Sequence, residues 1–166
     1  MSDPVKLQIL KAMTSSLQEI TCANGFEFDL ATSVFRGRLV YGENDPIPMV
    51  SILEAPIPMD KVATSDATTT DAGGWELLVQ GFVKDDRENP TDPAHMLMAD
   101  VKKQLVLEKR KSAGQFSTTG PFGLGKFITS MYIGQGVVRP PEDHVSAKAY
   151  FWLGVRLAIV EDLAGQ

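Results

Sequence analysis

The side chains able to do chemistry are few and scattered. There are two histidines, His95 and His144. A helix-borne zinc site needs a second imidazole three or four residues away, and neither histidine has one. His95 stands near the start of a predicted helix and His144 in a proline-rich turn, so both read as structural. The single cysteine, Cys22, cannot close an intramolecular disulfide or build a thiolate metal site alone. It is expected to be a small buried residue at a helix end, in a protein suited to a reducing compartment. Asp85, Asp86 and Glu88 fall together in a predicted loop. Carboxylates so grouped could hold a divalent cation, though a solvated acidic turn accounts for them more simply.

Gly120-Pro121-Phe122-Gly123-Leu124-Gly125-Lys126 has the ingredients of a phosphate-binding loop. Its glycine spacing is wrong, and no Ser or Thr follows Lys126. A dinucleotide-binding fingerprint begun at Gly123 would need glycine where Ile128 stands. The stretch reads as a flexible loop. No nucleophile-elbow pattern occurs either. The expectation is a protein with no catalytic residue, no cofactor and no metal, and therefore not an enzyme.

The elements that must position these groups follow from periodicity. Asp3-Pro4 opens a first helix, since Asp caps well and Pro tolerates the first helical position. Leu10, Met13, Leu17 and Ile20 then mark one face of a helix over residues 4–20. Phe26, Phe28 and Leu30 alternate with Glu27 and Asp29, which predicts a short strand. Further strands are expected at 34–41, 49–53, 75–84 and 127–138. The 75–84 strand is apolar on both faces, which predicts a central strand covered on both sides. Asp92-Pro93 repeats the cap signature and opens a second helix with Ala94, Leu97, Met98, Val101 and Leu105 on one stripe. On its surface Asp100 pairs in spacing with Lys103 and Gln104. Residues 146–160 alternate most regularly of all and give the last strand. Long loops are expected at 60–74 and 112–126.

This order is not strict strand–helix alternation. It predicts an α+β fold, a mainly antiparallel β-sheet with two α-helices packed on one face, in a single domain over residues 1–166. Sixteen basic residues against 21 acidic give a formal charge of -5. That argues against a general nucleic-acid or membrane-surface binder, both of which need positive excess. The first residues show no signal-peptide pattern, and no apolar run approaches the ~20 residues of a membrane helix.

Taken in order, the helix at 5–20, the run Ile47-Pro48-Met49-Val50-Ser51-Ile52-Leu53, the strand at 75–83, the helix at 94–107 and the long strand at 147–160 resemble the lambda-like tail-terminator family of long-tailed bacteriophages. The resemblance covers most of the chain through diffuse motifs, and the loops are longer than in the smaller members of that family. It implies a structural virion protein of the tail and neck, assembled in the host cytoplasm. It also implies a homo-oligomeric ring, expected to be a hexamer, that caps the tail tube and offers a joining surface to the head. The implied partners are the tail-tube protein and a head-completion or neck protein, with DNA only as passing cargo in the lumen. Another neck, head-completion or tube-associated role is the alternative within the virion, and a small ligand-binding domain or enzyme with a loop lid is the alternative outside it. The family brings no catalytic residue to carry over. A ring needs two unlike complementary patches on each subunit. The acidic Asp85, Asp86 and Glu88 and the basic Lys109, Arg110 and Lys111 are the interface candidates, because opposite charge sets orientation at a contact.

Overall fold

The structure is a computed structural model that describes residues 3–56, 70–111, 120–143, 146–162 and 164. Among the described residues, two α-helices, α1 (Val5–Leu17) and α2 (Asp92–Arg110), accompany five strands. These are β1 (Val34–Arg36), β2 (Met49–Glu54), β3 (Thr70–Val83), β4 (Ile128–Arg139) and β5 (Ala149–Asp162). They form one sheet in the order β1-β2-β3-β5-β4. Only β1 and β2 run parallel; every other neighbouring pair is antiparallel. The fold is therefore α+β with a mainly antiparallel sheet, as expected.

The period-2 pattern of β5 dictates the layering. Phe151, Leu153, Val155, Leu157 and Ile159 are all buried, while Trp152, Arg156 and Val160 alternate with them on the exposed side. The buried set joins Val50, Ile52, Trp75, Leu77 and Val79 beneath both helices in one core. α1 contributes Val5, Ile9, Met13 and Leu17, spaced by four so that they stack on one face. Leu10, expected on this stripe, is only partly buried, and Ile9 takes the inward position instead. α2 contributes Ala94, Leu97, Met98, Val101 and Leu105, the stripe read from the sequence. Gly136 on β4 lets α2 approach, since a Cβ there would lie 2.2 Å from Met98 Sδ.

The helix starts differ by one residue from expectation. Pro4, not Asp3, is the N-cap position of α1, and no side chain caps it. Asp3 instead accepts from Gln8 Nε2 through its carbonyl at 2.6 Å and pairs with Lys11 at 2.7 Å. Thr91 is the N-cap of α2, which leaves Asp92 in the first turn where its charge complements the helix dipole.

Four other expectations are corrected. Residues 26–30 form no strand: the backbone N–H groups of Glu27 and Phe28 both donate to Asp100 Oδ2 on α2, each at 3.0 Å, rather than to a neighbouring strand. The strand expected at 34–41 keeps only Val34–Arg36, after which Gly37 turns the chain at φ 78°. The loop expected at 60–74 ends earlier, because Thr70 to Gly74 pair with Asp162 to Ala158 of β5; residues 60–69 lie outside the described residues. Cys22 is exposed, in the short 3-10 turn Cys22–Asn24, and not a buried helix-end residue. In the loop expected at 112–126, residues 112–119 lie outside the described residues, and Pro121–Gly123 is a 3-10 turn. His144 is outside them as well, whereas His95 is exposed on α2.

Candidate interaction surface

The side chains of α2 that face neither core nor solvent come first. Asp100, Gln104 and Glu108 recur every four residues and are all buried. The sequence placed Asp100 and Gln104 on the helix surface; the structure places them against α1 and the chain that follows it. Gln104 Nε2 donates to the Ser16 carbonyl and to Ser16 Oγ, both at 3.0 Å. Ser16 Oγ donates in turn to Glu108 Oε1 at 2.8 Å, and Lys111 Nζ reaches the same oxygen at 3.0 Å. Glu108 Oε2 accepts the backbone N–H of Phe122 at 2.8 Å. Phe122 has φ 56°, a left-handed conformation that costs a bulky side chain on the order of 1–3 kcal/mol. The glycine-rich turn is thus fastened by one buried carboxylate. A Cβ on Gly120 would sit 2.3 Å from Gly125 Cα, so the turn closes on itself and position 120 must be glycine. Burial pushes the Asp100 carboxyl above its ordinary value, partly offset by the two backbone N–H groups it accepts. Every one of these polar groups has a structural partner, and the cluster fastens α2 to α1, to the chain after α1 and to the glycine-rich turn.

The charged candidates occupy opposite ends of α2. Asp85, Asp86 and Glu88 lie in the loop between β3 and α2, with Asp86 Oδ2 accepting from the Asn89 N–H at 3.4 Å. Lys109, Arg110 and Lys111 lie at its C-terminal end, where cations suit the dipole. A helix of 19 residues at 1.5 Å per residue separates the groups by about 28 Å. They do not meet within one chain. Lys109 Nζ instead stands 5.7 Å from the ring of Tyr132 on β4.

The helix-free face of the sheet is the surface that sequence reasoning missed. β3 is central, as expected, but it is not covered on both sides along its length. At one end, residues 37–48 cross the free face. The Arg38 N–H donates to Ser51 Oγ at 3.0 Å, and Arg38 stacks 3.7 Å from the Phe35 ring. Tyr41 packs 5.8 Å from Phe82, which packs 6.2 Å from Tyr150, followed by Trp152 at 5.6 Å. Burial, and then the charge of Glu142, raise the Tyr150 phenol above its ordinary pKa and keep it a neutral hydroxyl. Gln80, with its amide turned so that donors meet acceptors, receives Trp152 Nε1–H at 3.0 Å and donates to the Leu39 carbonyl at 3.2 Å. This order ends at solvent: Leu39 is 70% and Val40 64% exposed, although both are large and apolar.

Beyond Gln80 the free face carries exposed apolar groups on two adjacent strands. Gln80 is in register with Trp152, and Trp152 with Val137 on β4. Trp152 is 37% and Val137 51% exposed. Beside them lies a shallow depression of about 250 Å³, floored by Gly154 and Gly134 and walled by Leu78, Tyr132, Glu76 and Arg156. Gly154 has nothing within 4 Å of where a Cβ would stand, so the dip exists because that side chain is missing. Isolated exposed apolar residues are ordinary, but Trp152 and Val137 lie side by side on adjacent strands, which makes this face the candidate interaction surface. Among the described residues no cluster of His, Cys, Asp or Glu has metal-ligating geometry. No helix among them is long and apolar enough to cross a membrane. No family model matches the chain, and no curated protein matches it.

Proposed function

We propose that this chain is a structural virion subunit of the tail-terminator kind. It closes with copies of itself into a ring, expected to hold six, that caps the tail tube and presents a joining surface to the head. The observation that supports assembly is the set of exposed apolar groups, Leu39 and Val40 on the loop after β1 and Trp152 beside Val137 on the free face of the sheet. An isolated protein gains nothing by leaving these groups in water, whereas burial against a neighbour returns about 25 cal/mol per Å². The element order that resembles the tail-terminator family supports the position within the particle. The acidic and basic ends of α2 give each subunit two unlike patches, which head-to-tail closure requires.

Tube capping tests the reading. The tail-tube protein is polymerised with and without this chain, and tube lengths are measured by negative-stain electron microscopy. Shortened tubes bearing one ring at an end are expected. Unchanged tube lengths, with the chain bound instead to a head-completion or portal assembly, would move it elsewhere in the neck. Binding to neither would overturn the virion role.

A further inference from the structure

The sheet ends on two very different edges. β1 has three residues and β4 has twelve. β4 pairs with β5 along one side, and no described strand pairs with its other side. An unpaired row of N–H and C=O groups is a template for another strand, and proteins that remain apart blunt such rows with lysine, proline, β-bulges or a covering segment. From Ile128 to Val138 this strand carries no charged residue and no proline; the first charge is Arg139. Two register shifts, between Ile128 and Ser130 and between Ile133 and Gly136, bend the strand. They leave two regular runs, Ser130 to Ile133 and Gly136 to Arg139, still able to pair.

Two further observations meet at this edge. The exposed apolar pair of Trp152 and Val137 on the free face ends on it at Val137. The basic end of α2 flanks it, with Lys109 beside Tyr132. The matching acidic group, Asp85, Asp86 and Glu88, sits at the far end of α2 in the same chain. A second copy therefore carries the charge that complements this flank.

We propose that the outer edge of β4, together with Tyr132 and Val137, is the seam on which a second copy of the chain docks, extending the sheet across the interface. The inference rests on the assembly reading above and names its contact. In a ring the segment added to β4 comes from a different part of the next copy, because like edges meeting would close a pair and stop.

The test places lysines where natural edge strands place them. Gln135 and Val137 are exposed, so Gln135→Lys with Val137→Lys is expected to leave circular dichroism unchanged, and melting unchanged at a concentration low enough that the unmodified chain is dissociated too. The light-scattering mass is expected to fall from a multiple of 18.1 kDa to 18.1 kDa. If the unmodified chain is already a monomer, the assembly reading fails first. If the unmodified chain is oligomeric and the double variant assembles equally well, the seam lies elsewhere and this proposal is overturned while assembly stands. Should the variant misfold, hydrogen exchange on the unmodified chain decides: β4 amides must slow when the protein is concentrated, and unchanged rates there overturn the seam. In a Cys22→Ser background, Gln135→Cys is expected not to form a disulfide with its own copy. Efficient self-cross-linking would show like edges face to face and contradict the ring geometry.

Discussion

Replacing Asp100 separates two physical effects that the fold combines. Its Oδ2 alone accepts the N–H groups of Glu27 and Phe28, and these two bonds hold the chain after α1 against α2. Asp100→Ala removes the acceptor of both bonds. At about 1.5–3 kcal/mol for a charge-assisted bond, less what water restores to a half-buried turn, the loss is about 2–4 kcal/mol. For a chain of this size that lowers the melting temperature by roughly 5–12 °C. Asp100→Asn keeps one oxygen able to accept both bonds and discards the charge that burial disfavours, so it is expected to cost less than about 1 kcal/mol. The sign with pH follows from linkage. Because the folded carboxyl is raised above 3.8, the folded state binds the proton more tightly than the unfolded state. The contribution of Asp100 is therefore greatest below that ordinary value and declines as pH rises through the folded value. Melting temperatures of the unmodified chain and Asp100→Asn, measured in parallel across the acidic range, should shift in favour of the variant as pH increases. An Asn variant as damaged as the Ala variant, or a difference that does not change with pH, would refute the reasoning.

Other substitutions probe separate parts of the account. Gly81→Ala would place a Cβ 2.1 Å from Phe151 Cε1 in the core, and urea unfolding should show a loss of about 1–3 kcal/mol or more. Glu108→Ala frees the Phe122 N–H and Ser16 hydroxyl together; it should cost about 3 kcal/mol, and hydrogen exchange at Phe122 should rise more than at Leu97. Leu39→Ser with Val40→Ser removes solvent-facing apolar groups, so denaturant stability at low concentration should move by no more than about 0.5 kcal/mol, while sedimentation velocity shows weaker self-association.

The parts of this fold that were legible in the sequence are those where local pattern and tertiary demand agree. β5 alternates from Phe151 onward because one face lies in the core beneath the helices, and β2 is bounded by Pro48 and Pro56. Discrepancies arise where a distant partner decides. Thr70 to Gly74 have the composition of a loop, yet a full register with β5 makes them strand. Phe26 to Leu30 have the alternation of a strand, yet Asp100 takes the backbone donors that a strand would need. Gly154 and Gly134 gave no warning of the dip they create. The buried polar row of α2 did leave a trace: Asp100, Gln104 and Glu108 recur every fourth residue alongside the apolar stripe, which is the spacing of a face and not of scattered surface charge. The free face was hidden for a simpler reason. Leu39 with Val40, Val137 and Trp152 come from three separate stretches of chain; the register of β5 with β4 sets Trp152 beside Val137, and Gln80 of β3, in register with Trp152, receives the Leu39 loop.

What this chain is for turns on whether it stands alone. Native mass spectrometry of the unmodified protein, across a hundredfold range of concentration, reads that directly. Assembly predicts a discrete species at a fixed multiple of 18.1 kDa, expected to be sixfold, that dissociates without unfolding on dilution. A particle of single-chain mass at every concentration, still able to cap tubes, would contradict it.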